Sequence, residues 1–246
     1  MNNIIQMISN HRSFRSYTDQ PVEEAYLHSI IDSAQSAPSW INGQQVSIIA
    51  VKNTRKKWQL AELCGNQAHI EQAPIFLIFC ADFYRSKLAG EMEGIPQLEA
   101  LDDVDALLVG ATDVGLAMGN AITAAESFGL GTVPIGGIRR NPLEVIDLLK
   151  LPEYVIPIAG LCIGYPAENP GQKPRLPREA VYHEEQYDSS NTKLHLFNYN
   201  HTMQERLGTS WTARVASFYE KPYYDHIADM LQQQGYSCKN IKRDEN

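Results

Sequence analysis

The feature that most restricts how this chain can fold is the stretch 104–125. Val104, Leu107, Leu108, Ala111, Val114, Met118, Ile122 and Ala125 recur at three- and four-residue steps, and Gly129 supplies a stop. That spacing predicts one helix of about six to seven turns. Gly110, Gly115, Ala117, Gly119 and Ala121 lie within it. Small residues weaken a long helix unless another backbone comes close, so tight packing is expected there, between subunits included. Residues 75–80 are nearly all apolar and read as a strand covered on both faces, and 154–163 reads as a second buried strand.

The remaining elements are shorter. Ile4, Ile5, Met7 and Ile8 give one face of a short helix. Leu27, Ile30, Ile31, Ala34 and Ala37 give another over 23–37, ended by Pro38. The β-branched run 46–51 predicts a strand, and 54–63 a helix stopped at Gly65. Residues 66–72 are polar, and 83–99 read as a loop or broken helix. A brief strand at 132–135 runs into Gly136-Gly137, and Asn141-Pro142 opens a helix through Lys150. The proline-rich stretch 166–178 predicts an extended, ordered connector, with helical promise near 213–234. Helices and short strands interleaved with long excursions indicate an α+β sandwich rather than a regular βαβ series. The C-terminal 60 residues are sparse in aliphatics and are expected to pack on another surface.

Composition then excludes classes. A chain of 246 residues can bury a full core as one large domain or one domain with an extension. The net charge of −8, with only local basic spots, argues against a nucleic-acid surface. Cys64, Cys80, Cys162 and Cys238 lie far apart without a Cys-x-x-Cys pair, which suits a reducing cytosol. No signal-peptide pattern and no uninterrupted span of roughly 18 apolar residues is present, so a soluble cytoplasmic protein is expected, with no membrane partner. The seven histidines lack metal-ligand spacing, so no metal site is expected. Phosphate-loop, dinucleotide-fingerprint and nucleophile-elbow motifs are all missing.

What remains is a set of anion-binding pieces. His11, Arg12, Ser13, Arg15 and Ser16 fall within six residues, and arginine with serine on a constrained backbone is a means of holding phosphate. The other pieces are Ser39 with Gln44, Gln67, the Gly136-Gly137 pair, and Lys173 with Arg175. Each also has an ordinary reading, as turn hydroxyl, surface amide, strand-end turn or solvated loop.

Their order carries more than any one of them. The successive stretches HRSFRSYTDQPV, SAQSAPSWINGQQVSII, GNQAHIEQAPIFLIFCADF, GLGTVPIGGIRRNP and LCIGYPAENPGQKPRLP together resemble the flavin-dependent nitroreductase family. The closer likeness is to its NADPH-preferring branch of oxygen-insensitive nitroreductases and flavin reductases. The match runs from residue 3 to about 187, and the final 60 residues match weakly.

The resemblance implies a nitroreductase-like sandwich, with a central mixed, mostly antiparallel sheet flanked by helices, in an intertwined homodimer. It implies a core over 1–188, with 189–246 as an excursion packing on the partner subunit and the substrate side. FMN, bound non-covalently at the interface, is the implied cofactor, and NADPH the co-substrate. His11, Arg12 and Ser13, joined by Lys173 and Arg175, correspond to the phosphate end. Arg15 resembles the residue beside the flavin N1–O2 edge, and Ser39 and Gln67 resemble ribityl or ring contacts. Pro134, Ile135, Gly136 and Gly137 correspond to the approach to N5, where a side chain would block hydride. Trp40 and Ile41 fill a loop that is often serine-rich in relatives, and Pro134 stands where an aromatic is frequent. Both departures bear on substrate choice. Arg206 and Arg214 are candidates for the NADPH phosphate by position.

The implied chemistry is two-electron, ping-pong hydride transfer to nitroaromatics, quinones, azo compounds or free flavin, with no catalytic side chain. Alternatives are a flavin reductase supplying reduced FMN, a non-catalytic FMN-storage protein with Trp40 closing the ring face, and a small-phosphate-binding protein.

Overall fold

The computed structural model describes residues 2–95 and 97–238. The described residues form two units, one that runs to Pro170 and resumes at His226, and one of Gly171–Asp225.

The first unit is built on four strands, β1 (Val46–Val51), β2 (Ile75–Asp82), β3 (Gly131–Ile135) and β4 (Val155–Gly164), in the order β1-β2-β4-β3. Every pairing between them is antiparallel, and the parallel component expected of the sheet is confined to the isolated bridge Ser13–Thr132. All eight residues of β2 are buried. Strand side chains alternate between faces, so this one strand feeds two cores. Ile75, Leu77, Phe79 and Ala81 join one cluster, and Phe76, Ile78 and Cys80 join the other.

Helices cover both faces. The first core also holds Leu27, Ile30 and Ala34 of α2 (Glu24–Gln35) and Ala106, Val114, Ala117, Met118, Ala121 and Ala125 of α6 (Val104–Ser127). The second holds Leu60 and Ala61 of α3 (Thr54–Leu63), Ile70 of α4 (Ala68–Gln72) and Val145 of α7 (Pro142–Leu149). A short α1 (Asn3–Ser9) precedes them, and α5 (Tyr84–Met92) occupies the stretch that read as a loop or broken helix. The helix α4 lies in a segment whose polarity had hidden it. Only Ile70 is buried there, too little for a periodic signal.

In α6 the small residues divide. Gly110 packs inward, where an added Cβ would lie 2.7 Å from Ala81 Cβ, whereas Gly115 and Gly119 meet nothing within 4 Å. Leu108 and Leu116 are exposed on the same helix. By length and mean hydropathy α6 would suit a membrane span, which uninterrupted apolar runs did not register; 39% of that span is buried inside the fold.

Strand β4 carries a register irregularity opposite Phe79 and Cys80 of β2, with Ile158 as the extra residue. Pro157 sits at this point, where a missing N–H costs the ladder least. The carbonyl of Ile158 is taken by the Arg139 guanidinium. After the second unit the chain returns to the first. There α10 (Ile227–Gln233) buries Met230, and Gln234 Nε2 donates to the Val155 carbonyl at 2.7 Å.

In the second unit, α8 (Thr192–Leu207) and α9 (Trp211–Tyr219) pack together. Asn200 ties them, accepting from Thr212 N–H at 3.0 Å. The helical stretch expected over 213–234 is therefore two helices, α9 and α10, parted around Pro222, and α8 lacked a clear apolar period in the sequence.

Two outcomes follow from this packing. An added Cβ at Gly160 would lie 2.5 Å from Phe76 Cε2 and 3.3 Å from Ile135 Cβ. Gly160→Ala should cost about 1–3 kcal/mol in urea unfolding, and Phe76→Leu in the same chain should recover part of it. Burial pushes the Cys64 and Cys80 thiols up from 9.0 to about 12. Their contribution to stability is full below the unfolded value and is lost as pH rises through the folded one. Urea stability should therefore decline from about pH 9 to about 12, and Cys80→Ala should flatten that decline.

Candidate functional site

Residues 11–18 run in extended form past the ends of β3 and β4. Ser13 bridges Thr132, Phe14 N–H donates to the Thr132 carbonyl at 3.0 Å, and Thr18 N–H donates to the Tyr165 carbonyl at 2.9 Å. An edge strand leaves backbone groups unpaired, and this segment takes up the carbonyl of Thr132. The bare Gly131 makes room for it, since a Cβ there would lie 2.7 Å from the Phe14 ring. At the other end His11 Nδ1 stands 2.5 Å from Glu126 Oε1, on the last turn of α6. The fold thus fixes His11, Arg12, Ser13 and Arg15 beside the β3 edge.

Within that segment Arg12 Nε is buried and makes no hydrogen bond inside the chain. Leaving a buried donor unpaired costs about 1–3 kcal/mol, more when it is charged, so the geometry suits an acceptor that is not part of the protein. Arg15 is exposed, and its charge reaches His69 on α4. Burial first and Arg15 second hold the His69 imidazole below its ordinary pKa. The Nε2 of His69 is likewise buried without a partner. No spacing rule marked His69 in the sequence, although it lies in the GNQAHIEQAP stretch.

Gln67 caps α4 and donates from Nε2 to the Cys64 carbonyl at 2.7 Å. The same amide packs against Gly137, where a Cβ would lie 2.5 Å from Cys64 O. The bareness of Gly137 makes room for this internal contact, since its missing side chain would point at Gln67 and Cys64. Just before it, Pro134 is exposed on the edge strand, where its missing N–H is tolerated. Ile135 is buried and Gly136 half-buried. The 11–15 segment, α4 and the Gly136-Gly137 turn are thus linked pairwise, through Thr132, the Arg15–His69 field and the Gln67–Gly137 contact.

Other sequence-derived positions lie elsewhere. Ser39, Trp40 and Ile41 belong to the loop before β1, on the opposite sheet edge, three strand spacings or roughly 14 Å from β3. There Ser39, Gln44, Val46, Arg85, Asp113 and Ala117 help line a cavity of about 220 Å3. Asp113 and Arg85 carried no sequence signal. Asp113 accepts from Trp40 N–H at 3.3 Å, and Arg85 donates to the Gln44 carbonyl at 3.0 Å. One chain does not bring Ser39, Trp40 or Ile41 to Arg12. In the second unit, Arg175 Nη1 donates to the Lys173 carbonyl at 3.1 Å and Arg206 Nη1 to the Gln172 carbonyl at 2.9 Å. Arg214 stands 5.8 Å from the Phe218 ring centre.

Comparison with known proteins agrees with this arrangement. Residues 8–165 match the sequence model of the nitroreductase family, and 173–239 match that family's C-terminal domain, including the final stretch where the resemblance was weak. The FMN reductase [NAD(P)H] of Bacillus subtilis is 48% identical over 97% of this chain and 100% of its own. The oxygen-insensitive NADPH nitroreductase of Salmonella typhimurium is 41% identical over 94% and 92%. The solved structure of NfrA2 from B. megaterium superposes with a TM-score of 0.92 at 50% identity, covering 96% and 98% of the two chains. With the fold, the order of its motifs and both family models in agreement, the chain belongs to the nitroreductase family.

Proposed function

We propose that this protein is an FMN-dependent NAD(P)H oxidoreductase that passes two electrons from NADPH to small acceptors: nitroaromatics, quinones, azo compounds or free flavin. The observation that carries the reading is the buried, unpartnered Arg12 Nε on a segment pinned to the β3 edge. The residues present fit a phosphorylated flavin. They offer a guanidinium for the phosphate, a serine hydroxyl beside it, and amide and imidazole groups for a polar ring. The relatives named FMN reductase and NADPH nitroreductase support both the cofactor and the nicotinamide.

In this reading Arg12 and Ser13 bind the phosphate by charge-assisted hydrogen bonds, and His11, held by Glu126, sets their position. Lys173 and Arg175 are proposed as further phosphate ligands on the resemblance alone. Arg15 places a fixed positive charge where negative charge develops on reduction, while Gln67, Pro134, Ile135, Gly136 and Gly137 shape the approach to the ring. FMN, when bound, supplies the hydride chemistry itself, so no side chain of the chain need act as nucleophile. Arg206 and Arg214 remain proposals for the NADPH phosphate.

The site is proposed to close in a homodimer. Ser39, Trp40 and Ile41 lie on the opposite edge from Arg12, so a second copy is the natural source of their contacts. The outward face of α6, with Gly115, Gly119, Leu108 and Leu116, supplies a surface for close approach. Residues 189–246 are proposed to pack on the partner and to border the substrate side, and the cytosol is the proposed compartment.

Steady-state kinetics with NADPH and NADH across a panel of acceptors should give parallel double-reciprocal lines and a preference for NADPH. Intersecting lines would exclude the ping-pong scheme, and failure of NADPH to bleach the flavin band anaerobically would leave only storage. Arg12→Ala should weaken FMN about 10- to 100-fold, as for loss of a charge-assisted hydrogen bond. Riboflavin, which lacks the phosphate, should bind the variant and the parent equally in fluorescence titration.

A further inference from the structure

Among the described residues three side-chain polar atoms are buried without a hydrogen-bond partner: Arg12 Nε, Gln45 Oε1 and His69 Nε2. Buried polar groups are paired in the great majority of cases, so each such atom calls for an explanation. Gln45 precedes β1, on the opposite edge of the sheet from Arg12. Arg12 and His69 lie on the two segments that the fold links at β3, through Thr132 and through the field of Arg15 on His69.

We propose that His69 is a contact residue of the flavin ring, whose Nε2, buried and without a partner inside the chain, hydrogen-bonds the polar pyrimidine edge that Arg15 also serves. This rests on the reading of the site as flavin-binding and adds a residue to it. The chemistry of the group favours the ring over the phosphate. Burial first, and the Arg15 cation second, hold the imidazole below its ordinary pKa, which favours the uncharged form. A neutral imidazole has one N–H and one lone pair. The pyrimidine edge of an isoalloxazine presents two carbonyl acceptors around one imide N–H, so either tautomer finds a complement there. A phosphate dianion offers acceptors only and would draw the imidazolium form, which this environment disfavours. Gln67, two residues earlier, has an Nε2 donating to Cys64, so it keeps its own carbonyl oxygen for a donor and does not duplicate the imidazole.

The test uses the full-length protein, stripped of bound flavin and titrated separately with FMN and riboflavin. In His69→Phe, which keeps a ring but no polar atom, both affinities should fall together by about tenfold, the effect of one lost hydrogen bond. His69→Gln, which retains a donor and an acceptor, should stay within about threefold of the parent on the same scale. In the unmodified protein labelled with 15N-histidine, the His69 Nε2 resonance should report a neutral ring and should move when riboflavin alone is added.

Equal flavin affinities in His69→Phe, or a loss for FMN with none for riboflavin, would overturn the assignment while leaving the flavin reading intact. So would an Nε2 resonance unmoved by riboflavin, and that measurement decides the matter should His69→Phe fail to fold. Failure of the unmodified protein to bind either flavin would instead remove the functional reading itself.

Discussion

The interaction on which the rest of this structure depends is the burial of β2 on both of its faces. A strand whose eight residues are all inaccessible cannot belong to a sheet with one wet side. It demands a helical layer above and another below. The cluster under α2 and α6 and the cluster under α3, α4 and α7 are the two answers, reached by alternate residues of a single strand. With Phe76, Leu77, Ile78 and Phe79 all fully buried, at about 1.5–3 kcal/mol per large apolar side chain, no register shift is tolerable. A slip of one residue would exchange the whole set between cores of different shape.

Closing both faces confines chemistry to the edges. β4 and β2 are interior, so β3 and β1 are where backbone groups and loops remain available. At β3 the opening is taken by the 11–18 segment, whose anchors are structural: the Thr132 bridge, Phe14 over Gly131 and the His11–Glu126 pair. The last of these ties the segment to the end of α6, the helix that fills the first core. The backbone that carries Arg12 and Arg15 is thereby fixed beside β3 in an otherwise acidic chain, which is the condition for a small anionic ligand to be bound by two or three cations without a general basic surface.

How much of this was legible in the sequence follows from what each signal depends on. The α6 period, the apolar β2 and β4 runs and the Asn141-Pro142 helix start are local patterns, and they correspond to the elements observed. The elements α4 and α8 were hidden because helicity there rests on few buried side chains. The sheet order and the bulge at Ile158 depend on pairing between distant segments, which no local pattern encodes. At the site, Arg12, Arg15, Gln67 and Gly137 were marked by residue type and by resemblance. His69, Asp113 and Arg85 were not, because their interest comes from burial and from neighbours remote in sequence: Nε2 without a partner, a carboxylate beneath the Trp40 N–H, a guanidinium on the Gln44 carbonyl. Gly137 was marked by resemblance, and its close contact with Gln67 adds a packing reason that no local pattern shows.

The loop before β1 shows how the two edges relate energetically. Ile41, Asn42 and Gln44 all have φ near +50°, in the left-handed region, and for a β-branched residue such as Ile41 that conformation is an outlier. Residues held there cost on the order of 1–3 kcal/mol each and persist only where the surroundings over-determine them. Here the Ser39 hydroxyl accepts from Gln44 N–H at 3.1 Å, Arg85 donates to the Gln44 carbonyl, and Asp113 receives the Trp40 N–H. The outcome is a stiff loop that turns Trp40 and Ile41 outward, 56% and 75% exposed. A flexible loop would let such side chains fold back over the cavity beside them. Strain spent on keeping two large apolar groups in water is consistent with a surface shaped in advance for another molecule, where preorganisation lowers the cost of ordering on contact.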